Sequence, residues 1–347
     1  MRLALGAIVK NEAPYLIDWL AWHQALGFTD FIIADNDSTD GTSDILRALE
    51  RAGILTYVRF PSRLHKKPQL EAYDHICRRL SGRVDWLALI DADEFIMPET
   101  PNDDLATTLQ NLPDDTGAVA LNWAIFGSSG HLRAQGDPVF QRFQMRGKKS
   151  DDRDDAPYGN RHYKMIIRPR CYAKKIATPH HARLRDGFCL RRPNGKILNI
   201  DRYGISNDVD WSRFRINHYV IKSWSEFIQK KLSRGLADRP DMMHNVTYFG
   251  DHDWNDELDA SAQNGLPKFD ACKKNILRAL GDTRQIYDAS IRDMVSFVPP
   301  ERPETFNAPG AMEMARTNPP RINVVARRLQ KMKLRIIEAF SQMRIAR

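Results

Sequence analysis

The sequence predicts an α/β fold in which a mostly parallel central sheet is covered by helices on both faces. Within the first 91 residues, four short apolar stretches alternate with three stretches whose apolar residues recur every three or four positions. This alternation is typical of parallel strands joined by right-handed helical crossovers. Two of the apolar stretches end in aspartates, at Asp35 and at Asp91. Because sheets of this kind bind ligands at the carboxyl ends of their strands, we expect the two turns to line one crevice.

The individual elements follow from the same periodicities. The first helix starts near Pro14, because proline is tolerated in a first helical turn, and Gly27 is expected to end it. Asp40 is expected to cap the second helix, since its carboxylate can accept hydrogen bonds from free backbone N–H groups. The third helix begins at Pro68. The predicted strands are residues 3–9, 31–34, 55–60, 86–90 and 118–124.

The later part of the chain predicts fewer elements. Residues 162–169 are expected to form a strand and a turn, and the highly charged residues 146–155 a mobile loop over the site. Ser223 and Glu226 have the spacing of a capping box, so a helix should follow them. That helix is expected to expose a basic side formed by Lys230, Lys231 and Arg234.

Length and composition are those of a globular protein with one large domain or two small ones. The chain has 347 residues, and no apolar run approaches the roughly 20 residues that span a bilayer. The apolar start is interrupted at Lys10, so it is expected to be a strand and not a signal peptide. The four cysteines, which are far apart, favour reduced thiols in the cytoplasm over a disulfide framework or a zinc site. They are Cys77, Cys171, Cys189 and Cys272.

The net charge of +8 is concentrated in residues 321–347, where eight bases stand against one acid. The rest of the chain is nearly neutral, which argues against a nucleic-acid partner. Apolar residues recur every three or four positions in the same segment, so it is expected to form a basic amphipathic helix. Such a helix could lie on the anionic inner face of a membrane, dock on a partner, or pack on its own domain.

The stretch Asp91-Ala92-Asp93-Glu94 carries the most specific chemistry. Two aspartates separated by one residue can bind one divalent cation, and a hard cation shares its oxygen ligands with a diphosphate. The alternative is a solvated acidic loop after a buried strand. The sequence has no GxGxxG after its first strand and no GxxxxGK[ST], which disfavours dinucleotide binding and P-loop chemistry. With Asp35 on the nucleoside and the acidic pair on the metal, the pattern predicts a nucleotide-sugar site.

A set of short motifs also occurs in a fixed order along the chain. They are Val9-Lys10-Asn11-Glu12, Trp19-Leu20-Ala21-Trp22-His23, Asp35-Asn36-Asp37-Ser38-Thr39-Asp40, Asp91-Ala92-Asp93-Glu94-Phe95, Phe126-Gly127, Asn217-His218-Tyr219, Lys222-Ser223, and Lys231 with Arg234-Gly235. No single motif is specific, but the ordered set resembles the glycosyltransferase family 2-like proteins that overlap glycosyltransferase family 92. The resemblance runs from residue 3 to about residue 240 and does not cover the basic tail.

The resemblance implies a GT-A (Rossmann-like) fold with a C-terminal helical extension. It divides the chain into a nucleotide-sugar-binding half at residues 1–125 and an acceptor-binding half at residues 126–240. An extension at residues 241–320 and the basic helix at residues 321–347 would follow. The implied activity is an inverting transfer of a sugar from a UDP- or GDP-sugar, with Mn²⁺ or Mg²⁺, to a glycan or lipid-linked acceptor in polysaccharide biosynthesis.

The resemblance also implies roles for single residues. Asp35 would bind the nucleotide base or ribose. Asp91 and Asp93 would bind the metal, with Asp93 as the direct ligand and Glu94 orienting it, and His218 would bind the metal or the diphosphate. The residues expected to contact the donor are Lys10, Glu12, Asp35, Asp37, Asp91, Lys164, Lys222 and Arg234.

An inverting transferase also needs a carboxylate that deprotonates the acceptor hydroxyl. The acidic motif that usually supplies it in family 2 enzymes is not found cleanly in this sequence. Asp154, Asp155 and Asp186 are in range, and Asp155 and Asp186 are taken as the candidates. Two other functions fit the paired acids: a nucleotidyltransferase, which would release pyrophosphate, and a glycan-binding protein with a degenerate site.

Overall fold

The structure, a computed structural model, describes residues 1–62, 67–149, 159–231 and 246–302. The strands are β1 (Leu3–Val9), β2 (Asp30–Asp35), β3 (Thr56–Arg59), β4 (Trp86–Leu89), β5 (Glu94–Pro98), β6 (Thr116–Ile125), β7 (Met145–Arg146), β8 (Tyr163–Ile167), β9 (Tyr172–Thr178), β10 (His181–Leu184), β11 (Cys189–Arg191), β12 (Ile200–Arg202), β13 (Ile205–Ser206), β14 (Phe214–His218) and β15 (Glu257–Leu258). The helices are α1 (Ala13–Ala25), α2 (Thr42–Arg51), α3 (Pro68–Leu80), α4 (Leu105–Gln110), α5 (Val139–Arg142), α6 (Trp224–Glu226), α7 (Val246–His252), α8 (Leu266–Ala279) and α9 (Arg284–Ser296).

The centre of the described residues is a nine-stranded sheet in the order β3-β2-β1-β4-β8-β6-β14-β5, with β11 paired to β6. Strands β1, β2, β3 and β4 run parallel to one another, and β6 runs parallel to β14. β8 runs antiparallel to both β4 and β6, and β5 runs antiparallel to β14. The prediction of a mostly parallel sheet is therefore confirmed, with β8 and β5 as the reversed strands.

Helices cover both faces of this sheet. Residues of α1, α2, α8 and α9 pack in one apolar cluster, and residues of α3 pack with β9 and β10 in another. α1 is buried along nearly its whole length, because the sheet lies on one side of it and α8 and α9 on the other. The close approach depends on Gly265, where a Cβ atom would lie 2.7 Å from the Trp22 ring. The helices α8 and α9 thus cover the outer side of α1, although they lie far from it in the sequence.

Two local predictions need correction. Asp40 does not cap the second helix, because α2 begins one residue later and its N-cap is Gly41 with φ of 96°. The Asp40 carboxylate instead accepts hydrogen bonds from the backbone N–H groups of Ala13 and Thr42, and so joins the starts of α1 and α2. Lys230 is not exposed: its side chain is 14% exposed and forms an ion pair with Glu12.

The basic segment at residues 321–347 lies outside the described residues, so its predicted helix stays a prediction. Among the helices that the structure describes, none combines the length and the apolar character needed to cross a membrane.

Candidate active site at the carboxyl edge of the sheet

The predicted crevice lies at one edge of the sheet. β1, β2 and β4 are parallel neighbours, so the loops that follow them open on the same side. β14 ends at this edge as well, because its last residue, His218, is paired in register with Glu94 at the start of β5. The backbone N–H of Tyr219 donates to the carbonyl of Asp93 at 2.9 Å. The β5–β14 pairing therefore brings the acidic turn and the late histidine together.

Asp93 and His218, two of the three predicted metal ligands, lie close to one another. The Nε2 atom of His218 lies 3.7 Å from the Oδ1 atom of Asp93, and the two side chains are 9% and 15% exposed. The Trp123 ring lies against the imidazole, with 4.2 Å between ring centroids. A carboxylate oxygen and an imidazole nitrogen are thus held side by side at the edge where ligands bind in such sheets.

Asp91 has a different environment from Asp93. Its Oδ1 atom accepts hydrogen bonds from Gln69 Nε2 and Tyr73 OH, both at 2.7 Å, and its Oδ2 atom accepts one from Lys164 Nζ at 2.9 Å. Both oxygens are therefore engaged by side chains of α3 and β8. A cation that used Asp91 as a ligand would compete with a buried ammonium group.

Lys164 lies between two acids in the interior. Besides its contact with Asp91, its Nζ atom is 3.4 Å from Glu94 Oε2, and the Lys164 and Glu94 side chains are 1% and 0% exposed. Burial opposes the charge on Lys164, but Asp91 and Glu94 outweigh it, and the pKa of Lys164 is raised. Burial raises the pKa of Glu94 to about 8, although Lys164 opposes the shift. The ammonium thus pairs with Asp91, while the fully buried Glu94 favours its protonated form.

The structure does not assemble the three predicted metal ligands Asp91, Asp93 and His218 as one group. Among the residues it describes, no set of three or more His, Cys, Asp or Glu side chains is placed to hold a metal ion. Asp93 and His218 still fit a divalent cation that keeps open positions. Mg²⁺ is often bound through one or two carboxylates together with substrate phosphates, and imidazole is a common metal ligand. Three donors already bind the Asp91 carboxylate, so the structure does not support the prediction that Asp91 shares this metal.

Asp35 ends β2 as predicted, and it is almost fully buried at 3% exposure. Its carboxylate accepts hydrogen bonds from the backbone N–H of Ser38 at 3.1 Å, from the Ser43 hydroxyl, and from Tyr57 OH at 3.4 Å. Asp37 follows with a positive φ of 57°, and its Oδ2 atom accepts from the backbone N–H of Ser62 at 2.9 Å. The second Asp-rich turn is thus strongly structured by its own carboxylates.

The loops after β1 and β2 are tied to each other through Asn11. Asn11 has a positive φ of 57°, donates its backbone N–H to Ser38 Oγ at 3.0 Å, and accepts from the Thr39 N–H at 2.7 Å. Non-glycine residues with a positive φ are uncommon, and this conformation costs about 1 kcal/mol or more, so the surrounding contacts must hold Asn11 in it. These hydrogen bonds therefore hold the two loops that would line the predicted nucleotide pocket.

Cationic side chains approach the same edge from the segment after β14. Lys222 is 3% exposed and has a positive φ of 59°, and its Nζ atom donates to the Tyr219 carbonyl at 3.2 Å. The ammonium groups of Lys222 and Lys230 lie 4.8 and 4.6 Å from the centre of the Tyr15 ring. Cations over an aromatic face are stabilised by the ring quadrupole. Two positive charges are therefore collected at the start of α1.

Buried acids accompany these cations. Glu12 is 6% exposed and pairs with Lys230, and Lys10 beside it is half-buried. Tyr15 OH donates to Glu226 at 2.9 Å, and the Glu226 carboxylate also accepts hydrogen bonds from both terminal nitrogens of Arg142. Burial opposes the ionised form of Glu226, but Arg142 outweighs it and lowers its pKa. The capping box of Ser223 and Glu226 is confirmed, and it belongs to this network.

Of the two candidate bases, Asp186 is placed at the wrong edge of the sheet. It is exposed in the turn between β10 and β11. Its neighbours Leu184 and Phe188 lie 3.0 and 2.8 Å from a Cβ atom built on Gly117, near the start of β6. β6 and β4 are both antiparallel to β8, so β6 runs in the same direction as β4. The start of β6 is therefore at the opposite edge of the sheet from the end of β4 and Asp93. This position does not support Asp186 as the base, whereas Asp155 and Arg234 lie outside the described residues.

Several residues of this region were not predicted from the sequence. Besides His218, the Trp123 ring has His162 and His180 beside it, at 4.7 and 5.1 Å between centroids. Burial lowers the pKa of His180 well below its usual value, with nearby Lys164, His162 and His218 acting in the same direction. In the sequence, the adjacent histidines His180 and His181 are the feature that points to this region, and their spacing does not indicate what the rings contact.

Comparison with known proteins gives the same family as the motifs. Residues 7–178 match the model for glycosyltransferase family 92. A glycosyltransferase family 92 protein of Ricinus communis is 26% identical over 238 residues, which are 66% of this chain and 37% of that protein. One from Oryza sativa subsp. japonica is 26% identical over 315 residues, 88% of this chain and 46% of that protein. The chain thus spans less than half the length of these curated relatives.

Solved structures align only loosely. S. aureus TarS 1–349 is 12% identical with a TM-score of 0.35, over 84% of this chain and 91% of that chain. Glucosyl-3-phosphoglycerate synthase from Mycobacterium tuberculosis, in complex with Mn²⁺ and UDP, is 15% identical with a TM-score of 0.24. That alignment covers 35% of this chain and 44% of the synthase. Alignments this loose do not bear on the site. The match of residues 7–178 supports a glycosyltransferase similar to family 92, and the described residues have the mostly parallel α/β sheet that the GT-A resemblance implies.

Proposed function

We propose that this protein transfers a sugar from a nucleoside-diphosphate sugar to a hydroxyl group of a glycan or lipid-linked acceptor. The observation that carries the proposal is the proximity of Asp93 and His218 at the carboxyl edge of the sheet, in a chain whose residues 7–178 match the model for glycosyltransferase family 92. The donor is a UDP- or GDP-sugar, whose nucleoside would bind near Asp35 and whose diphosphate would bind near Asp93.

Mn²⁺ or Mg²⁺ is the proposed cofactor, with Asp93 and His218 as its protein ligands. A divalent cation bound there would neutralise the charge that gathers on the departing diphosphate. The protein's part is to hold the two ligands in place. The β5–β14 pairing fixes their backbones, and the Trp123 ring limits the motion of the imidazole.

The remaining charges support the same chemistry. Lys164 pairs with Asp91 and so holds the turn that presents Asp93. Lys222 is close enough to this edge to offer positive charge to the leaving diphosphate, where charge develops in the transition state. An inverting course needs a carboxylate on the other side of the sugar, and of the two predicted bases only Asp155 is still a candidate.

The test is a donor screen on the full chain with Mn²⁺, in which release of UDP or GDP from its sugars is measured with and without EDTA. We expect release to depend on the metal. Full activity in EDTA would remove the metal from the proposal. Release of pyrophosphate from a nucleoside triphosphate would identify a nucleotidyltransferase instead, and absence of calorimetric binding to UDP, GDP and Mn²⁺ would indicate a glycan-binding protein with a degenerate site.

We also propose that the protein works in the cytoplasm and that the basic residues 321–347 attach it peripherally to an anionic membrane face. The eight bases of this segment would each contribute roughly 1 kcal/mol near such a surface. Flotation with anionic liposomes should recover the full chain but not a chain ending at residue 320. Equal recovery of both would remove this role of the tail.

A further inference from the structure

A cavity lies at the edge of the sheet opposite the candidate active site. It has a volume of about 470 Å³, which is within the size range of small-molecule pockets. Its walls come from the starts of β2 and β3 and from the end of α3 with the turn that follows. Asp35 ends β2 at the other edge, so the length of the strand separates this cavity from the donor site.

The inner wall of the cavity is apolar. Phe31, Ile32, Leu80 and Val84 line it, and Phe31 and Ile32 are only 5% and 3% exposed. Gly82, in the turn after α3, adds no side chain, and a Cβ atom built there meets no atom within 4 Å. The cavity therefore offers a hydrocarbon surface and open space beside it.

The rim of the cavity is basic. Three arginines and one aspartate are among the lining residues, and Arg2 is already committed to Asp30 through a hydrogen bond of 2.9 Å from its Nε atom. Arg79 and Arg83 are exposed, and within the described part of the chain neither guanidinium forms an ion pair or a hydrogen bond. Two uncompensated guanidinium groups thus stand at the mouth of an apolar pocket. Guanidinium is the side chain best suited to bidentate binding of phosphate.

We propose that this cavity binds a phosphate monoester that carries an apolar group. Arg79 and Arg83 hold the phosphate, and the apolar group lies against Phe31 and Leu80. The ligand comes either from a soluble phosphorylated compound or from the headgroup of a lipid such as phosphatidic acid, since both present the same chemistry. The site is independent of the donor site, so the proposal does not rest on glycosyl transfer.

The test measures calorimetric binding of phenyl phosphate and of inorganic phosphate to the full chain. We expect phenyl phosphate to bind more tightly than inorganic phosphate, because only the ester fills the apolar wall. The Arg79→Ala/Arg83→Ala variant should weaken phenyl phosphate at least about tenfold, since each lost charge-assisted contact is of that order. Lys274→Ala/Arg278→Ala removes the same charge from the exposed side of α8 and should change nothing.

A second variant tests the cavity itself. Thr56→Trp places an indole at the lining of the cavity and should abolish the advantage of phenyl phosphate over inorganic phosphate. The proposal is overturned if the full chain shows no saturable binding of phenyl phosphate. It is also overturned if the two double variants bind phenyl phosphate equally, because the affinity would then come from the donor site or from net charge.

Vesicles distinguish the two sources of the ligand. Phosphatidylcholine vesicles with and without a minority of phosphatidic acid are compared for retention of the full chain and of both double variants. Phosphatidic acid-dependent retention that only the Arg79→Ala/Arg83→Ala variant loses supports the lipid source. Equal retention of all three chains, with phenyl phosphate still sensitive to Arg79 and Arg83, supports the soluble source.

Discussion

The turns after β2 and after β4 look alike in the sequence, but they hold their carboxylates in different ways. After β2, the Asp35 carboxylate is directed to Ser38, Ser43 and Tyr57 of its own region. After β4, Asp91 is bound by α3 and β8, while Asp93 lies beside His218. Acids at the ends of two strands thus differ in which other groups bind their carboxylates, and this difference decides which acid can bind a ligand.

The largest effect expected from this difference is at Asp93. Asp93→Asn keeps the shape of the side chain but removes the charge that would hold the cation, so sugar transfer should fall by roughly a thousandfold. The midpoint of thermal unfolding should change little, because this side chain lies at the surface of the crevice. Initial rates with the donor found in the screen measure the effect.

The matched control for Asp93→Asn is Asp44→Asn on α2, which removes one exposed carboxylate that forms an ion pair with Arg47. This control should retain full activity, because an exposed ion pair contributes little. Activity of Asp93→Asn close to that of the control would mean that the turn after β4 holds no catalytic cation.

The second effect is on stability and concerns Lys164. Lys164→Met leaves the partly buried Asp91 and the fully buried Glu94 without their ammonium, and removing one partner from such a network costs about 3 kcal/mol of unfolding free energy. Urea denaturation measures the loss. The Lys164→Met/Asp91→Asn double variant should recover part of it, since removing both partners avoids an uncompensated charge. Strictly additive losses would show that Asp91 and Lys164 do not support each other.

Sequence could predict the first half of the sheet and its edge because these depend on local patterns. The apolar runs, the helical periodicities and the Asp-ended strands lie within the first 93 residues and place Asp35 and Asp93 at one edge. The partners of Asp91 could not be predicted in the same way. Gln69 and Tyr73 resemble ordinary residues of a buried helix face, and Lys164 arrives on β8, a strand that runs against its neighbours.

The positions of Asp186 and Asp40 could not be predicted for the same reason. Asp186 was in range by sequence alone, but only the pairing of β11 with the start of β6 shows that its turn lies at the far edge. Asp40 has the chemistry of an N-cap, yet α2 begins one residue later because Gly41 adopts a positive φ close to Ile286 of α9. Both outcomes depend on contacts between segments distant in the chain, which composition and spacing do not contain.

A third prediction asks whether the turn after β2 serves a ligand or only its own structure. Asp35→Asn should raise the KM for the donor about tenfold with little change in kcat, because the lost contact is to the nucleoside and not to the reacting bond. Ser43→Ala removes one internal partner of the same carboxylate and is the control. If both variants raise KM equally, the carboxylate acts by bracing the loop, and its predicted nucleoside contact fails.

A fourth prediction is a pH dependence of stability at Glu94. Its pKa is raised from 4.5 to about 8 in the folded protein, chiefly by burial, so the folded state holds a proton that the unfolded state has released. A raised pKa gives stability that is complete below about pH 4.5 and is lost as pH rises towards about pH 8. The unfolding free energy of the wild type, relative to Glu94→Gln, should therefore fall by up to about 1.4 kcal/mol per pH unit.

Denaturation of the wild type and of Glu94→Gln at matched pH values measures this difference, because groups common to both chains cancel. The amide cannot ionise, so the two stability curves should diverge between about pH 4.5 and about pH 8 and run parallel above that range. Parallel curves throughout would mean that Lys164 keeps Glu94 ionised in the folded state. In that case the Lys164 ammonium would stabilise the ionised Glu94 as well as pair with Asp91, beneath the turn that carries Asp93.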